Sequence, residues 1–305
     1  MRIFDLHCDT IGECFKQGKS LYKNDMHFSL ERAMQYDEYN QVFAIWITDD
    51  LRGRSAVDYF DNVADLYYDN LKKHSGIISD YSDKSVTPIK AVLAVEGASA
   101  CGGTEEGIYH LYDRGVRLVT LTWNDNNEIA AGAFANGGMT EFGKGFVSVA
   151  EELGIILDVS HLNRQSFKEL TEIYSLPFIA SHSNADIVDN YYGHKRNLED
   201  WQIEVIRDRG GLIGLNFCSD FIDNPLHPGA ESVADQIRYL SGMGCDDVIS
   251  LGSDFDGCDM HEDMLGVERI QSLYDKLLEC GIDDSLLYKV FYQNAKRFFD
   301  KYLLK

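Results

Sequence analysis

Eight short runs of apolar, largely β-branched residues recur along the chain, at residues 3–7, 42–47, 89–95, 116–122, 155–160, 178–181, 212–217 and 248–252. Near-continuous apolar runs of this length suit strands buried on both faces. The segments between them carry helical spacing instead. Phe146, Val149, Ala150 and Leu153 form one i, i+3, i+4, i+7 stripe, and Val233, Ile237 and Leu240 form another. Strand alternating with helix gives a parallel sheet. Eight such units in 305 residues predict a closed (β/α)8, or TIM, barrel rather than an open doubly wound sheet, which would bring a glycine-rich phosphate turn. Gly102-Gly103 and Gly137-Gly138 do not supply that turn. The tail, residues 283–304, reads as a last helix.

Only four prolines and no Ser/Gly-rich linker interrupt this pattern, which predicts a single domain over residues 1–305. The formal charge of -22 repels phosphates and anionic lipid heads, and no local basic patch offsets it, so neither a nucleic-acid nor a membrane partner is expected. The seven cysteines are scattered and form no CxxC pair, which argues against a disulfide framework or a cysteine zinc site. Residues 1–9 run directly into a candidate strand with no apolar signal region ahead of it, and no stretch reaches membrane-spanning length. The expected setting is soluble, reducing and cytoplasmic.

Polar residues at the ends of the apolar runs carry the chemistry. His7 and Asp9 close the first run, and residues two apart on a strand share a face. Glu96 follows the third run, His161 the fifth, His182 the sixth and Asp254 the eighth. Each has an ordinary structural explanation taken singly. His7 suits a pair with a nearby carboxylate, Glu96 a helix cap, His161 and His182 satisfied core histidines, and Asp254 a turn or N-cap. Jointly they fit another pattern, because the carboxyl ends of barrel strands form the face where residues distant in sequence converge. Histidine nitrogens and carboxylate oxygens suit zinc and related divalent ions, and the six residues are enough for two metals.

Five motifs, Asp5-Leu6-His7-Cys8-Asp9, Val95-Glu96-Gly97, Asp158-Val159-Ser160-His161, Ser181-His182-Ser183 and Gly252-Ser253-Asp254-Phe255-Asp256-Gly257, occur in this order from the first run to beyond the eighth. Together they resemble the membrane dipeptidase (renal dipeptidase) family of the amidohydrolase superfamily, whose fold is a TIM barrel of the metal-dependent hydrolase type. The resemblance implies that His7 and Asp9 bind one zinc ion, His161 and His182 the other, and Glu96 bridges both. It makes Asp254 the general acid/base and Arg196, in His194-Lys195-Arg196-Asn197, the residue that holds the substrate's C-terminal carboxylate. The stretch at residues 185–193 is longer than this assignment leads one to expect.

One position departs from the family. Where many members carry a histidine that helps polarise the scissile carbonyl, this chain has Trp123, followed by Asn124. Trp123 has one N–H donor and no charge to offer, so it is either a pocket wall or part of an altered way of stabilising the transition state, with Asn124 as a substitute donor. The resemblance implies a zinc-dependent dipeptidase acting on small dipeptides, with tolerance of a C-terminal D residue. The fold and metals alone also permit acyl-amino-acid deacylation or lactone hydrolysis, and a non-catalytic peptide- or metal-binding barrel is the alternative outside enzymes. The number of subunits stays open, with a homodimer among the options.

Overall fold

The structure, a computed structural model, describes residues 1–224 and 226–304. Among the described residues, nine strands form one sheet: β1 (Arg2–Cys8), β2 (Glu38–Trp46), β3 (Ile78–Asp80), β4 (Ile89–Glu96), β5 (Leu118–Thr120), β6 (Ile156–Asp158), β7 (Ile179–Ala180), β8 (Leu212–Leu215) and β9 (Ile249–Leu251). The order β2-β1-β9-β8-β7-β6-β5-β4 closes on itself through a parallel pairing of β2 with β4, in register from Tyr39↔Ile89 to Trp46↔Glu96. Eight of the strands therefore make a closed parallel barrel, as the eight apolar runs predict. The ninth, β3, is too short to register as a run in the sequence and pairs with the first residues of β4.

Two apolar layers hold the barrel. Phe4, Leu6, Val42, Ala44, Val92, Ala94, Leu118, Ile156, Ile179 and Leu212 fill the lumen with residues of the final helical segment, while the alternate strand residues, such as Ile3, Phe43, Ile45, Leu93 and Val95, pack outward against the helices. In the helix Glu141–Leu153 the expected stripe is rotated slightly, so that Phe146, Val147 and Ala150 are buried and Val149 and Leu153 are only partly covered. Val233, Ile237 and Leu240 are fully buried in Ala230–Gly242, as expected. The predicted last helix runs as Asp284–Tyr288, a π-helical turn Lys289–Gln293, and Asn294–Leu303. The wide turn and the helix after it bring Tyr292, Ala295, Phe298 and Phe299 beneath the lumen, where they plug it.

The opposite end cannot be filled the same way, because backbone crowds it. A Cβ on Gly214 or on Gly252 would lie 1.9 Å from the Ser181 carbonyl oxygen. Glycine at these two positions lets β7, β8 and β9 approach closely just below the site.

Candidate metal centre

His7 enters the site through an irregularity in β1. The pairing with β2 shifts between Asp5↔Gln41 and Cys8↔Phe43, so three steps along β1 oppose two along β2. Phe4 and Leu6 face the lumen, yet Cys8 packs in the outer layer. The extra residue is a bulge that re-aims His7. The expectation that His7 and Asp9 converge because they alternate on one strand face reaches the right end by the wrong route. Asp9 lies beyond the strand, at the N-cap of the helix Thr10–Gln17.

His161 and Asp254 are also turned by backbone rather than by strand alternation. They sit past the ends of β6 and β9 with φ of 66° and 63°, a left-handed conformation that costs a non-glycine residue and that persists where surrounding bonds over-determine it. Glu96 ends β4, and His182 lies two residues past β7. All six side chains are buried: His7 and His182 are 1% exposed and Asp254, the most open, 8%.

The two oxygens of Glu96 divide the cluster. Oε1 lies 2.9 Å from His161 Nε2 and 3.3 Å from His182 Nε2. Oε2 lies 3.7 Å from His7 Nε2, which is itself 3.4 Å from Asp9 Oδ2 and 3.9 Å from Asp254 Oδ1. Three overlapping sets of donors have the spacing to hold a cation: His7, Asp9 and Glu96; Glu96, His161 and His182; and His7, His182 and Asp254.

Surrounding bonds decide which nitrogen of each histidine is free. Ser181 Oγ donates to Asp158 Oδ2 at 2.6 Å, so at 2.7 Å it accepts from His182 Nδ1–H. Asn124 Oδ1, 2.9 Å from His161 Nδ1, accepts there in the same way. Both rings therefore present an Nε2 lone pair, and the two Nε2 atoms face each other at 2.9 Å. Burial pushes both imidazoles well below their usual pKa, so protonating one to bridge the pair is disfavoured. A cation held between them would resolve this opposition of lone pairs, and an N–H partner on the far nitrogen is what metal-binding histidines ordinarily have.

The electrostatics of the other residues agree. Burial pushes the Glu96 carboxyl well up, with His7 pulling it back down. Burial pulls the His7 imidazole down, but Glu96, Asp9 and Asp254 together outweigh it and raise the pKa to about 10. Both His7 nitrogens and Asp9 Oδ1 are buried without a hydrogen-bond partner. Buried, unpartnered donors beside concentrated carboxylates fit a bound cation, because burying them alone is costly.

Arg196 is buried, at 4% exposure. The long stretch after β7 explains how it gets there. Asp186 N–H donates to Leu198 O and Leu198 N–H to Asn184 O, which closes the excursion at its base. The short helix Tyr191–Arg196, capped by Asn190, then turns Arg196 back inward. Its guanidinium lies over the Phe221 ring at 5.1 Å, and Nη2 reaches the His182 carbonyl at 3.5 Å. Nε has no partner. Trp123 packs edge-on to Trp46, with ring centroids 4.8 Å apart, and its ring centroid is 6.2 Å from that of His161. Trp123, Asn124, Asp9, Glu96, His161 and Asp254 line one cavity of about 540 Å³.

Sequence reasoning missed the supporting residues. Asp158 receives Thr120 and Ser181 hydroxyls and the N–H groups of Ser160 and Ser181. Asn216, just past β8, donates to Asp254 Oδ2 at 3.1 Å and to the His182 carbonyl at 3.2 Å. The signal available was a polar residue inside an apolar run, at Asp158 within 155–160 and at Asn216 within 212–217, where burial demands partners.

A parallel barrel with N/O donors gathered at the carboxyl ends of its strands defines the metal-dependent hydrolase class within the amidohydrolase fold. The membrane dipeptidase family (peptidase family M19) matches residues 1–302, and the chain belongs to that family. An uncharacterized protein in the pqqA 5′ region of Klebsiella pneumoniae is 30% identical over 68% of this chain and 79% of its own length. An uncharacterized dipeptidase of Schizosaccharomyces pombe is 29% identical over 76% of this chain and 58% of its own length. Among solved structures, a metallo peptidase of Rhodobacter sphaeroides, bound to a phosphinate mimic of the dipeptide L-Ala-D-Ala, superposes with a TM-score of 0.90 at 21% identity over 99% of both chains. An amidohydrolase of Pseudomonas aeruginosa does so with a TM-score of 0.77 at 18% identity, over 98% of this chain and 95% of its own. No helix among the described residues is long and apolar enough to cross a membrane.

Proposed function

We propose that this chain, as one (β/α)8 unit, hydrolyses the peptide bond of small dipeptides with two zinc ions at the carboxyl end of the barrel. The observation that carries the reading is the division of Glu96, whose two oxygens face separate histidine sets. His7 and Asp9 would hold one ion, His161 and His182 the other, and Glu96 both. Nitrogen and oxygen donors of this kind suit zinc. Bound there, the ions supply an activated water and polarise the substrate carbonyl.

The remaining steps fall to the chain's own groups. Asn216 holds Asp254 Oδ2, which leaves Oδ1 directed at the cluster. Burial pushes the Asp254 carboxyl pKa up, with His7 and Arg196 pulling against it, and a raised carboxyl accepts and returns a proton more readily near neutral pH. Asp254 takes a proton from the attacking water and gives it to the leaving amine. Arg196, buried and nearly free of partners, binds the C-terminal carboxylate in a charge-assisted contact. That contact favours a peptide with a free carboxyl end over a lactone. Trp123 forms a wall of the cavity, and Asn124, which holds His161 with its carbonyl, lines the same cavity and is the candidate substitute donor. The L-Ala-D-Ala mimic held by the Rhodobacter sphaeroides relative supports tolerance of a C-terminal D residue. A reducing, cytoplasmic setting rests on the scatter of the seven cysteines along the sequence, with no CxxC pair among them.

Arg196→Met tests the reading. A lost hydrogen bond to a charged group is worth about 1.5–3 kcal/mol, so KM for free dipeptides rises by roughly 10- to 100-fold, and KM for their C-terminal amides changes little. Equal effects on both substrate sets would remove Arg196 from the carboxylate subsite.

A further inference from the structure

We infer that Asp256 is the positioning residue for the His7 and Asp9 half of the metal centre, acting through Thr10 and the backbone on either side of Asp9. This inference rests on the two-cation reading proposed above.

The two halves are held differently. In the His161 and His182 half, each ring is fixed by its own side-chain bond, from Asn124 and from Ser181. In the other half His7 Nδ1 has no partner, Asp9 Oδ1 has none, and Asp9 makes no side-chain cap bond to the helix that it begins. The orientation of Asp9 must therefore come from its neighbours. Its N–H donates to Phe255 O at 2.9 Å, and Asp254 N–H donates to His7 O at 3.2 Å, so residues 7–9 and 254–255 are laced together.

Asp256 anchors that lacing from the next position. Oδ2 accepts the Thr10 hydroxyl at 2.6 Å, and Oδ1 accepts His27 N–H at 2.6 Å. Its own N–H donates to His27 Nδ1 at 3.0 Å. The side chain is only 6% exposed, and the residue is held at a φ of 68°, which places its carboxylate between the start of one helix and the segment before the next. One carboxylate thus ties three places in the sequence together immediately behind Asp9. Gly257 completes the arrangement: a Cβ there would lie 2.3 Å from Asp9 Oδ2 and 2.4 Å from Asp254 Oδ1, so the turn is pressed directly against both carboxylates. No bond from Asp256 reaches His161 or His182. Removing its charge should loosen Asp9 and leave the other half intact.

The test is a titration of the metal-free full-length protein with zinc ion against a competing chelator, for wild type, Asp256→Asn, Thr10→Val and Thr10→Ser. Loss of a group that orients a metal ligand typically weakens binding by about 10- to 100-fold. Asp256→Asn keeps one tight zinc equivalent and weakens the second by that factor. Thr10→Val weakens the same equivalent less, and Thr10→Ser, which keeps the hydroxyl, restores it. Two unchanged equivalents, or two weakened in parallel, would overturn the inference. Should Asp256→Asn fail to fold, the Thr10 pair decides alone, and a Thr10→Val titration identical to wild type overturns it. Wild type that takes up fewer than two equivalents overturns the two-cation reading, and this inference falls with it.

Discussion

At the amino end of the barrel, Phe4, Tyr81, Phe298 and Phe299 close the lumen with rings packed on one another, Phe4 and Phe299 at a centroid distance of 4.8 Å and Phe4 and Tyr81 at 5.6 Å. The Tyr81 hydroxyl, the polar end of this cluster, donates to Asp300. At the carboxyl end the lumen stops at glycines, and above them lie three histidines and three carboxylates, of which His7 and Asp9 have buried atoms without a hydrogen-bond partner. One end has apolar area and a partner for its polar group. The other has concentrated charge and lone pairs without partners, an arrangement that costs folding free energy until a cation binds. The same eight strands support both, so stability and chemistry are separated along the barrel axis.

That separation can be broken from either side. The largest expected effect is at the carboxyl end, where Asp254→Asn keeps the shape of the side chain and removes its capacity to accept a proton. Positioned acid/base catalysis is worth about 10²- to 10⁴-fold, so kcat falls by that order while zinc content, read by elemental analysis, stays near two per chain. Loss of the metals along with activity would make Asp254 mainly a ligand. A smaller effect of a different kind is expected at the amino end. Phe299→Ala opens a cavity in the plug and destabilises the fold by about 3–5 kcal/mol, read by denaturant unfolding of the zinc-loaded protein, with kcat of the folded fraction within about twofold of wild type. A large fall in kcat from Phe299→Ala, measured where the variant is fully folded, would mean that the two ends are coupled.

The difference between the ends also explains what was legible in the sequence. The lumen and its helical cover follow from apolar periodicity, which is local, so eight runs and two helical stripes were enough to give the barrel. The metal-binding candidates were legible because a histidine or carboxylate at or just past the end of an apolar run is out of place in a bland strand. How they reach the site was not. The bulge before Cys8 and the left-handed turns at His161 and Asp254 depend on bonds to other strands, and nothing in the local pattern announces them. The relay from Asp158 through Ser181 to His182 was hidden for the same reason, since Asp158 sits inside a motif whose last residue drew the attention. The excursion that carries Arg196 looked like an argument against that residue until its base proved to be closed by Asp186 and Leu198. The plug was missed in part because its π-helical turn leaves Phe298 and Phe299 out of phase with the apolar positions that precede them.

The measurement that bears most directly on the central claim is dipeptide hydrolysis during removal and return of zinc. Exhaustive chelation should abolish turnover of L-Ala-L-Ala and L-Ala-D-Ala, and stepwise return of zinc should restore it, reaching the full rate near two equivalents per chain. Undiminished hydrolysis by protein verified to be metal-free would contradict the account.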